Sequence, residues 1–231
     1  MTTAPPMQMP PQTKGMYAYR VVRDAILRCE YRPGQRLVAD AIARQLSLSV
    51  IPVREALQLL QAEGLVRNVA HAGMVVSPIS RDSIVETFTV LEGLELVATR
   101  VAAARMTVED GVALRAIVRE MDDALRNGAH DRWGDLNRRF HQSVADIAAM
   151  PMLRDMTGRA LNQWDRVRRY YFERVLVHRI VCSQQEHHAI LAAMARRDDG
   201  EIARLVKIHN GGALVAYTAH LDESLETQEE D

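Results

Sequence analysis

Three histidines lie on the apolar sides of three separate predicted helices. His141, His187 and His209 occur in "DLNRRFHQSVADIA", "EHHAILAAM" and "EIARLVKIHNGG", each at the spacing of its helix's apolar residues. Three inward imidazoles from three helices could bind a divalent metal such as zinc or nickel. Each could equally be an ordinary buried histidine held by a hydrogen bond, since no local motif such as HExxH fixes a metal site. The spacing alone leaves both interpretations open.

A different chemistry is suggested by Arg54 in "SLSVIPVREALQLL". The segment predicts a helix that Ser49 can cap, with Pro52 in the first turn, where a missing amide costs little. Its buried stripe is predicted to be Val53, Ala56, Leu57 and Leu60, and its outward side Val50, Ile51, Arg54, Gln58 and Gln61. An outward guanidinium can bond guanine O6 and N7 or a phosphate. It could also pair with Glu55 or Glu63 on an ordinary helix surface.

The elements around Arg54 are typical of a winged helix-turn-helix. Helices predicted over 17–29 and 38–46 precede it, separated by a Pro-Gly turn, and its own helix ends near Gly64, which suits the left-handed position after a helix. Two β-like runs, 65–69 and 73–77, then form a hairpin across "AHAG". In such units the N-terminal turn of the second helix of the pair enters the major groove of DNA.

The chain changes character at a predicted linker over residues 77–81. Six helices are expected beyond it, at roughly 81–105, 107–127, 131–149, 152–176, 179–196 and 198–220. Broad apolar stripes on them predict a bundle that can enclose a pocket. The fold class is therefore mainly α, with an N-terminal winged helix-turn-helix over 17–77 followed by an all-α bundle of about six helices over 81–221.

Composition limits the remaining classes. The formal net charge is -1, but residues 17–80 carry eight Arg against five Asp or Glu, so the first part is mildly basic and the rear acidic. No apolar run approaches the ~20 residues that span a bilayer. Two cysteines are too few for a disulfide framework, which favours a reducing cytoplasm. Residues 1–16 are expected to be a disordered leader and 222–231 a solvated acidic tail.

Residues 17–77 resemble the winged helix of the GntR family of bacterial transcription regulators. "YRPGQRL", "AIARQL", "SVIPVREAL", "LLQAEGLV" and "HAGMVV" match that family's pattern in order and at matching spacing. The DNA-binding residues that the resemblance implies are Ser49, Val50, Ile51, Arg54, Gln58, Arg36, Arg44, Arg67, His71 and Gly73. Val50 and Asp40 stand where relatives usually carry basic residues, so the operator of relatives is not transferable; Val50 could instead touch a thymine methyl.

The helical remainder resembles the FadR-type ligand-sensing (FCD) domain, so the resemblance covers about residues 17–221. Metal-binding members use an acidic residue four positions before a Phe-His histidine, then two later histidines on separate helices. His141, His187 and His209 match this pattern, but the acidic position is Asn137. A carboxamide oxygen can ligate a divalent metal without contributing charge, which leaves affinity and metal identity open.

An effector site is predicted on the segment "LRDMTGRALNQWDRVRRYY". Trp164 and Arg168 fall on its inner stripe, and an inward arginine would suit a small carboxylate. The alternative is an arginine that reaches from the bundle edge to solvent. Leu91 and Met150 also replace an arginine and an asparagine usual in the family, which leaves open an effector that is unusual, less acidic or absent.

Together these features predict a cytoplasmic, ligand-responsive transcription regulator that is not an enzyme, most simply a repressor. It would bind a palindromic operator as a homodimer, with a small carboxylate biasing two conformations. The alternative is a metal-dependent enzyme that uses the three histidines. We expect no Glu base to adjoin them, and Glu186 is predicted to lie off the His187 face, which argues against catalysis. A third hypothesis keeps the fold but not the sensing, with a metal or a bound apolar ligand that only fills the bundle.

Overall fold

The computed structural model describes the backbone of residues 13–229 and the side chains of residues 13–171 and 179–219. The chain forms two compact units, residues 1–78 and 79–231. Each unit has its own apolar core. The predicted fold class, a winged helix-turn-helix followed by an all-α bundle, is confirmed.

The first unit contains three helices and a two-stranded antiparallel sheet. Its elements are α1 (Lys14–Leu27), α2 (Ala39–Gln45), α3 (Val50–Ala62), β1 (Val66–Val69) and β2 (Gly73–Val76). The segment before α2 runs beside β2, where the Leu37 amide donates to the Met74 carbonyl. The helix α1 begins at Lys14, because the Thr13 side chain accepts from the Met16 amide and satisfies one of the first-turn donors. The predicted leader over residues 1–16 was therefore too long by three residues, and its first twelve lie outside the described residues.

The helix α3 has the orientation that its apolar spacing predicts. Its four predicted core residues are Val53, Ala56, Leu57 and Leu60, all of them buried. Ser49 occupies the position before the helix with extended backbone, although its side chain makes no capping hydrogen bond. Pro52 lies in the first turn, and Gly64 adopts φ 73° just after the helix, as its permissive backbone allows. The helix is thus fixed against α1 with its other side outward.

The second unit is a bundle of six helices among the described residues. They are α4 (Arg81–Arg105), α5 (Val108–Arg126), α6 (His130–Ile147), α7 (Pro151–Tyr170), α8 (Phe172–Arg196) and α9 (Asp199–Glu229). Reciprocal side-chain caps start two of them: Ser80 with Ser83 begins α4, and Thr107 with Asp110 begins α5. One continuous apolar core joins the helices.

Two boundaries differ from the sequence prediction. The break between α7 and α8 falls at Tyr171, six residues or more before the predicted gap, because neither glycine nor proline marks it in the sequence. The last helix continues to Glu229, so the segment predicted as a tail over 222–231 has helical backbone as far as Glu229; the final two residues lie outside the described part. Residues such as Leu, Glu and Gln in this segment favour a helix, and no breaker interrupts them.

None of the helices within residues 13–229 combines the length and the apolar composition needed to cross a bilayer.

Candidate functional site

Arg54 projects outward from α3. Its side chain is exposed and pairs with no acidic group in the described part of the chain. Glu63, one alternative partner, instead accepts from the Tyr19 hydroxyl and from Arg23 Nε at 3.3 Å. The carboxylate of Glu55, the other alternative, lies against α1, where a Cβ on Gly15 would come within 2.9 Å of it. The guanidinium is therefore available to an external acceptor.

Several predicted DNA-binding residues meet in one groove of the first unit. The groove has a volume of ≈ 360 Å³ and lies between α2, α3 and the hairpin. Arg36, Arg54, Gln58 and Gly73 line it, and so does Asp40. Arg36 is held there because its backbone bridges to Val75 of β2. The groove brings cationic and amide donors together, with one carboxylate among them.

The other predicted DNA-binding residues divide by exposure. Five of them are exposed but do not line the groove: Ser49, Ile51, Arg44, Arg67 and His71. Val50 is only half-buried and packs against the core of the first unit, so its predicted outward position was wrong. The exposed apolar residue of the first turn is Ile51, and the following Pro52 is buried.

The structure brings the three histidines together inside the helical unit. His141, His187 and His209 are buried, and one nitrogen of each lies within 4.8 Å of the others. His141 Nε2 and His187 Nε2 are 3.2 Å apart. Such convergence of three imidazoles suits a divalent metal.

Two carboxylates contact the outer nitrogens of this cluster. Glu95 Oε1 lies 3.0 Å from His141 Nδ1, and Glu186 Oε2 lies 2.7 Å from His209 Nδ1. The sequence-based expectation that no glutamate adjoins the histidines was therefore wrong, because Glu186 contacts His209 rather than His187. Histidines that ligate metals usually donate their second nitrogen to a carboxylate in this way, which orients the ring.

The protonation states of the cluster follow from its burial. Burial opposes ionisation of Glu95, but attraction to His141 and its hydrogen bond outweigh burial and lower the pKa of Glu95. Burial likewise opposes ionisation of Glu186, yet the hydrogen bond from His209 lowers its pKa. The pKa of His187 lies well below its ordinary value because of burial and then the neighbouring His209 and His141. The carboxylates are thus ionised and His187 is neutral, the states that a metal site requires.

A cavity adjoins the histidines in the centre of the bundle. Its volume is ≈ 30 Å³, and it is lined by aromatic residues together with Glu95, Asn137, His141, His209 and Arg179. Asn137 Oδ1, Tyr217 Oη and Arg179 Nε are buried and have no hydrogen-bond partner among the described residues. Unsatisfied buried polar atoms are costly, so their convergence on one cavity indicates a ligand site.

Of the two predicted effector-binding residues, only Trp164 lines this cavity in the described part of the chain. Arg168 is 1% exposed and donates to Asp165 at 2.7 Å, to Asp131 at 3.3 Å and to Asp135 at 3.4 Å. The placement contradicts both alternatives for Arg168, since three carboxylates engage the guanidinium between α6 and α7. Gly134 makes this possible, because a Cβ there would come within 2.3 Å of the Arg168 guanidinium carbon.

Sequence reasoning missed two residues that the cavity contains. Glu95 lies four residues after Leu91 and three before Ala98, which places a carboxylate on the apolar stripe of α4. Arg179 lies two turns before His187 on α8, and its guanidinium holds Glu186 at 2.6 Å. A charged residue that falls on a helix's apolar stripe was the available signal for Glu95.

Comparisons with known proteins agree with both units. Residues 17–76 match the profile of the bacterial regulatory proteins of the gntR family, and residues 86–211 match the FCD domain. The chain is similar to an uncharacterized HTH-type transcriptional regulator from the TAR-I ttuE-ttuC' intergenic region of Agrobacterium vitis. That protein is 34% identical over 135 residues, which cover 57% of this chain and 79% of the relative.

A second relative covers more of the chain. The HTH-type transcriptional repressor RspR of Escherichia coli K12 is 26% identical over 200 residues, 87% of each protein. Among solved structures, Escherichia coli McbR/YncC matches with a TM-score of 0.75 at 20% identity, covering 91% of this chain and 100% of that one. At this identity the structural likeness shows the fold alone.

Proposed function

Because the chain belongs to the GntR family of bacterial DNA-binding transcription regulators, with an FCD domain, we propose that it represses transcription by laying α3 in the major groove of an operator. The single observation that carries this docking is Arg54, exposed on α3 and without an acidic partner in the described chain. Repression is proposed because RspR, similar over 87% of the chain, is named a repressor. A homodimer on a palindromic operator follows from the pairing of such units with two half-sites.

Contacts within each half-site follow from the groove of the first unit. Arg54 would bond guanine O6 and N7, and Gln58, one turn later on the same side, is placed for a second base edge. Arg36, Arg44 and Arg67 would bind phosphates, since phosphate contacts position a protein on the duplex without reading sequence. His71 and Gly73 would bring the hairpin to the adjacent backbone.

The helical unit would hold a divalent metal, zinc or nickel, on His141, His187 and His209. The residues present fit such an ion, because Nδ1 of two histidines is engaged by carboxylates and Asn137 Oδ1 is buried without a partner among the described residues. Asn137 would add an oxygen ligand. A metal bound there would supply a Lewis-acidic contact for an anionic effector.

The effector is proposed to be a small carboxylate that enters the cavity beside Trp164. Arg179, rather than Arg168, is the arginine on the cavity wall, with its Nε directed to no described partner. A cavity of ≈ 30 Å³ holds about one water, whereas ligand pockets measure roughly 300–1,000 Å³. The effector would therefore bind a more open bundle, and this difference in affinity between two conformations would drive regulation.

The enzyme alternative gains less support. Glu95 contacts Nδ1 of His141, and Glu186 contacts Nδ1 of His209 and also pairs with Arg179. Each carboxylate therefore orients an imidazole ring instead of serving as a free base. Absence of catalysis and a cytoplasmic location stay predictions; a turnover screen with added zinc or nickel tests the first.

A selection experiment tests the proposed function. The full chain is used to select duplexes from a random library, and the selected site is measured by gel shift with and without a chelator. We expect an inverted repeat bound at moderate salt. Failure to enrich any duplex contradicts the proposed docking. A chelator that lowers thermal stability but leaves operator affinity unchanged would instead indicate a purely structural metal.

A further inference from the structure

Ile51 is an exposed apolar side chain in the first turn of α3, the helix proposed to lie in the major groove. It is 70% exposed, the most exposed large apolar residue among those described in the first unit. Val53, Leu57 and Leu60 of the same helix are buried. The other large apolar side chain of α3 that is exposed is Leu59, at 44%. Packing within the first unit therefore does not use the isoleucine at position 51. Its β-branched side chain has little rotamer freedom to lose on contact.

Ile51 shares one side of α3 with the two polar reading residues. Ile51, Arg54 and Gln58 are spaced i, i+3 and i+7, which aligns them along a single helix face. A rise of ~1.5 Å per residue separates Ile51 from Arg54 by about 4.5 Å along the axis. With ~3.4 Å between base pairs, the two side chains would meet bases one or two steps apart.

The first turn of α3 offers no cation to a base. Val50, which stands where relatives carry a basic residue, is half-buried against the core, and Pro52 is buried. The projecting groups are therefore the Ser49 hydroxyl and the Ile51 alkyl group. In the major groove, the only apolar feature of a base edge is the C5-methyl group of thymine.

We propose that Ile51 reads a thymine methyl in each operator half-site, one or two base pairs from the guanine that Arg54 contacts. The proposal rests on the proposed docking of α3. It assigns the apolar readout to Ile51, whereas Val50 is half-buried against the core. Burying one methyl contributes roughly what one CH₂ does, which corresponds to about fourfold in affinity for each half-site.

Deoxyuridine tests the contact, because it removes the thymine methyl and keeps every hydrogen-bonding group. Each thymine of the selected duplex is replaced in turn, and the affinity of the full chain is measured by fluorescence anisotropy. We expect one position per half-site at which the replacement weakens binding about fourfold. Ile51→Ala should bind the thymine and deoxyuridine duplexes equally well.

Leu59→Ala is the matched control, since Leu59 is an exposed apolar residue two turns further along α3. It should keep the wild-type response to deoxyuridine. Binding that is indifferent to deoxyuridine at every position, or a response that survives in Ile51→Ala, would overturn the proposal. Failure to select any duplex would instead count against the docking itself, so the two failures are distinguishable.

Discussion

Glu95→Gln removes a buried charge beside the histidines while keeping the shape of the side chain. Glu95 is 5% exposed, and its two oxygens accept from His141 Nδ1 at 3.0 Å and from Asn210 Nδ2 at 2.8 Å. In the variant the amide oxygen can retain the contact with His141. Its NH₂ group then faces the Asn210 donor, which should lower the stability of the metal-free protein by about 1–3 kcal/mol.

The effect on metal binding follows from the charges in the site. Neutral imidazoles and Asn137 bring no charge, so Glu95 and Glu186 supply the carboxylates in contact with the ligands. Losing such a partner weakens metal affinity by about 10- to 100-fold, or roughly 1.4–2.8 kcal/mol. Asn137→Asp as a single substitution should raise the affinity for zinc. Added to Glu95→Gln, it should restore part of the zinc affinity that Glu95→Gln loses.

Competition with a chromophoric chelator measures these affinities for zinc and nickel directly. Glu86→Gln is the control, because Glu86 is exposed on the same helix. Circular dichroism of each metal-free variant confirms that it is folded. Wild-type zinc affinity in Glu95→Gln would refute the assignment of Glu95 as a positioning residue for a metal ligand. No gain from Asn137→Asp would refute the assignment of Asn137 as a ligand.

Three further outcomes are expected. Asp40→Lys replaces a carboxylate by a cation in the groove that is proposed to face DNA. It should tighten operator binding and steepen the salt dependence of the affinity by about one unit of slope, measured by titration at several salt concentrations. Gly134→Ala should displace Arg168 from its aspartates and lower the free energy of unfolding in urea by roughly 2–4 kcal/mol. Gly93→Ala is the control: the added Cβ meets open space and should not destabilise the protein. In the metal-free protein, burial lowers the pKa of His187 below 6.5, so the unfolded chain takes up the proton first. Stability should therefore fall as the pH drops below about 6.5, and His187 alone should contribute at most ~1.4 kcal/mol per pH unit. His187→Gln should remove this contribution and leave that of His209, whose pKa burial also lowers; urea titrations at several pH values measure the difference.

Helical periodicity predicted the parts of the fold in which one face is buried. The apolar stripe of α3 fixed which side faces outward, and the bounds of α4 agree with the sequence prediction at Arg81 and Arg105. The break at Tyr171 could not be predicted, because its neighbours are all compatible with a helix. Val50 was misplaced since position on a helical wheel does not say how far the core extends around a first turn.

The histidine cluster was predictable, whereas its surroundings were not. The sequence alone indicated a site from three inward histidines on separate helices. Nothing in their spacing showed that Glu186 contacts His209 from a different helix. Arg168 lies on the predicted side of α7, yet the carboxylates of Asp131 and Asp135 come from α6. Pairings between helices depend on how the helices cross, and single-chain periodicity does not contain that information.

Affinity of Arg54→Ala for the selected operator and for an unrelated duplex tests the central claim most directly. If α3 lies in the major groove with its guanidinium on guanine, the variant should bind the operator about 5- to 150-fold more weakly per half-site and the unrelated duplex nearly as well as the wild type does. An unchanged ratio between the two duplexes would contradict the account.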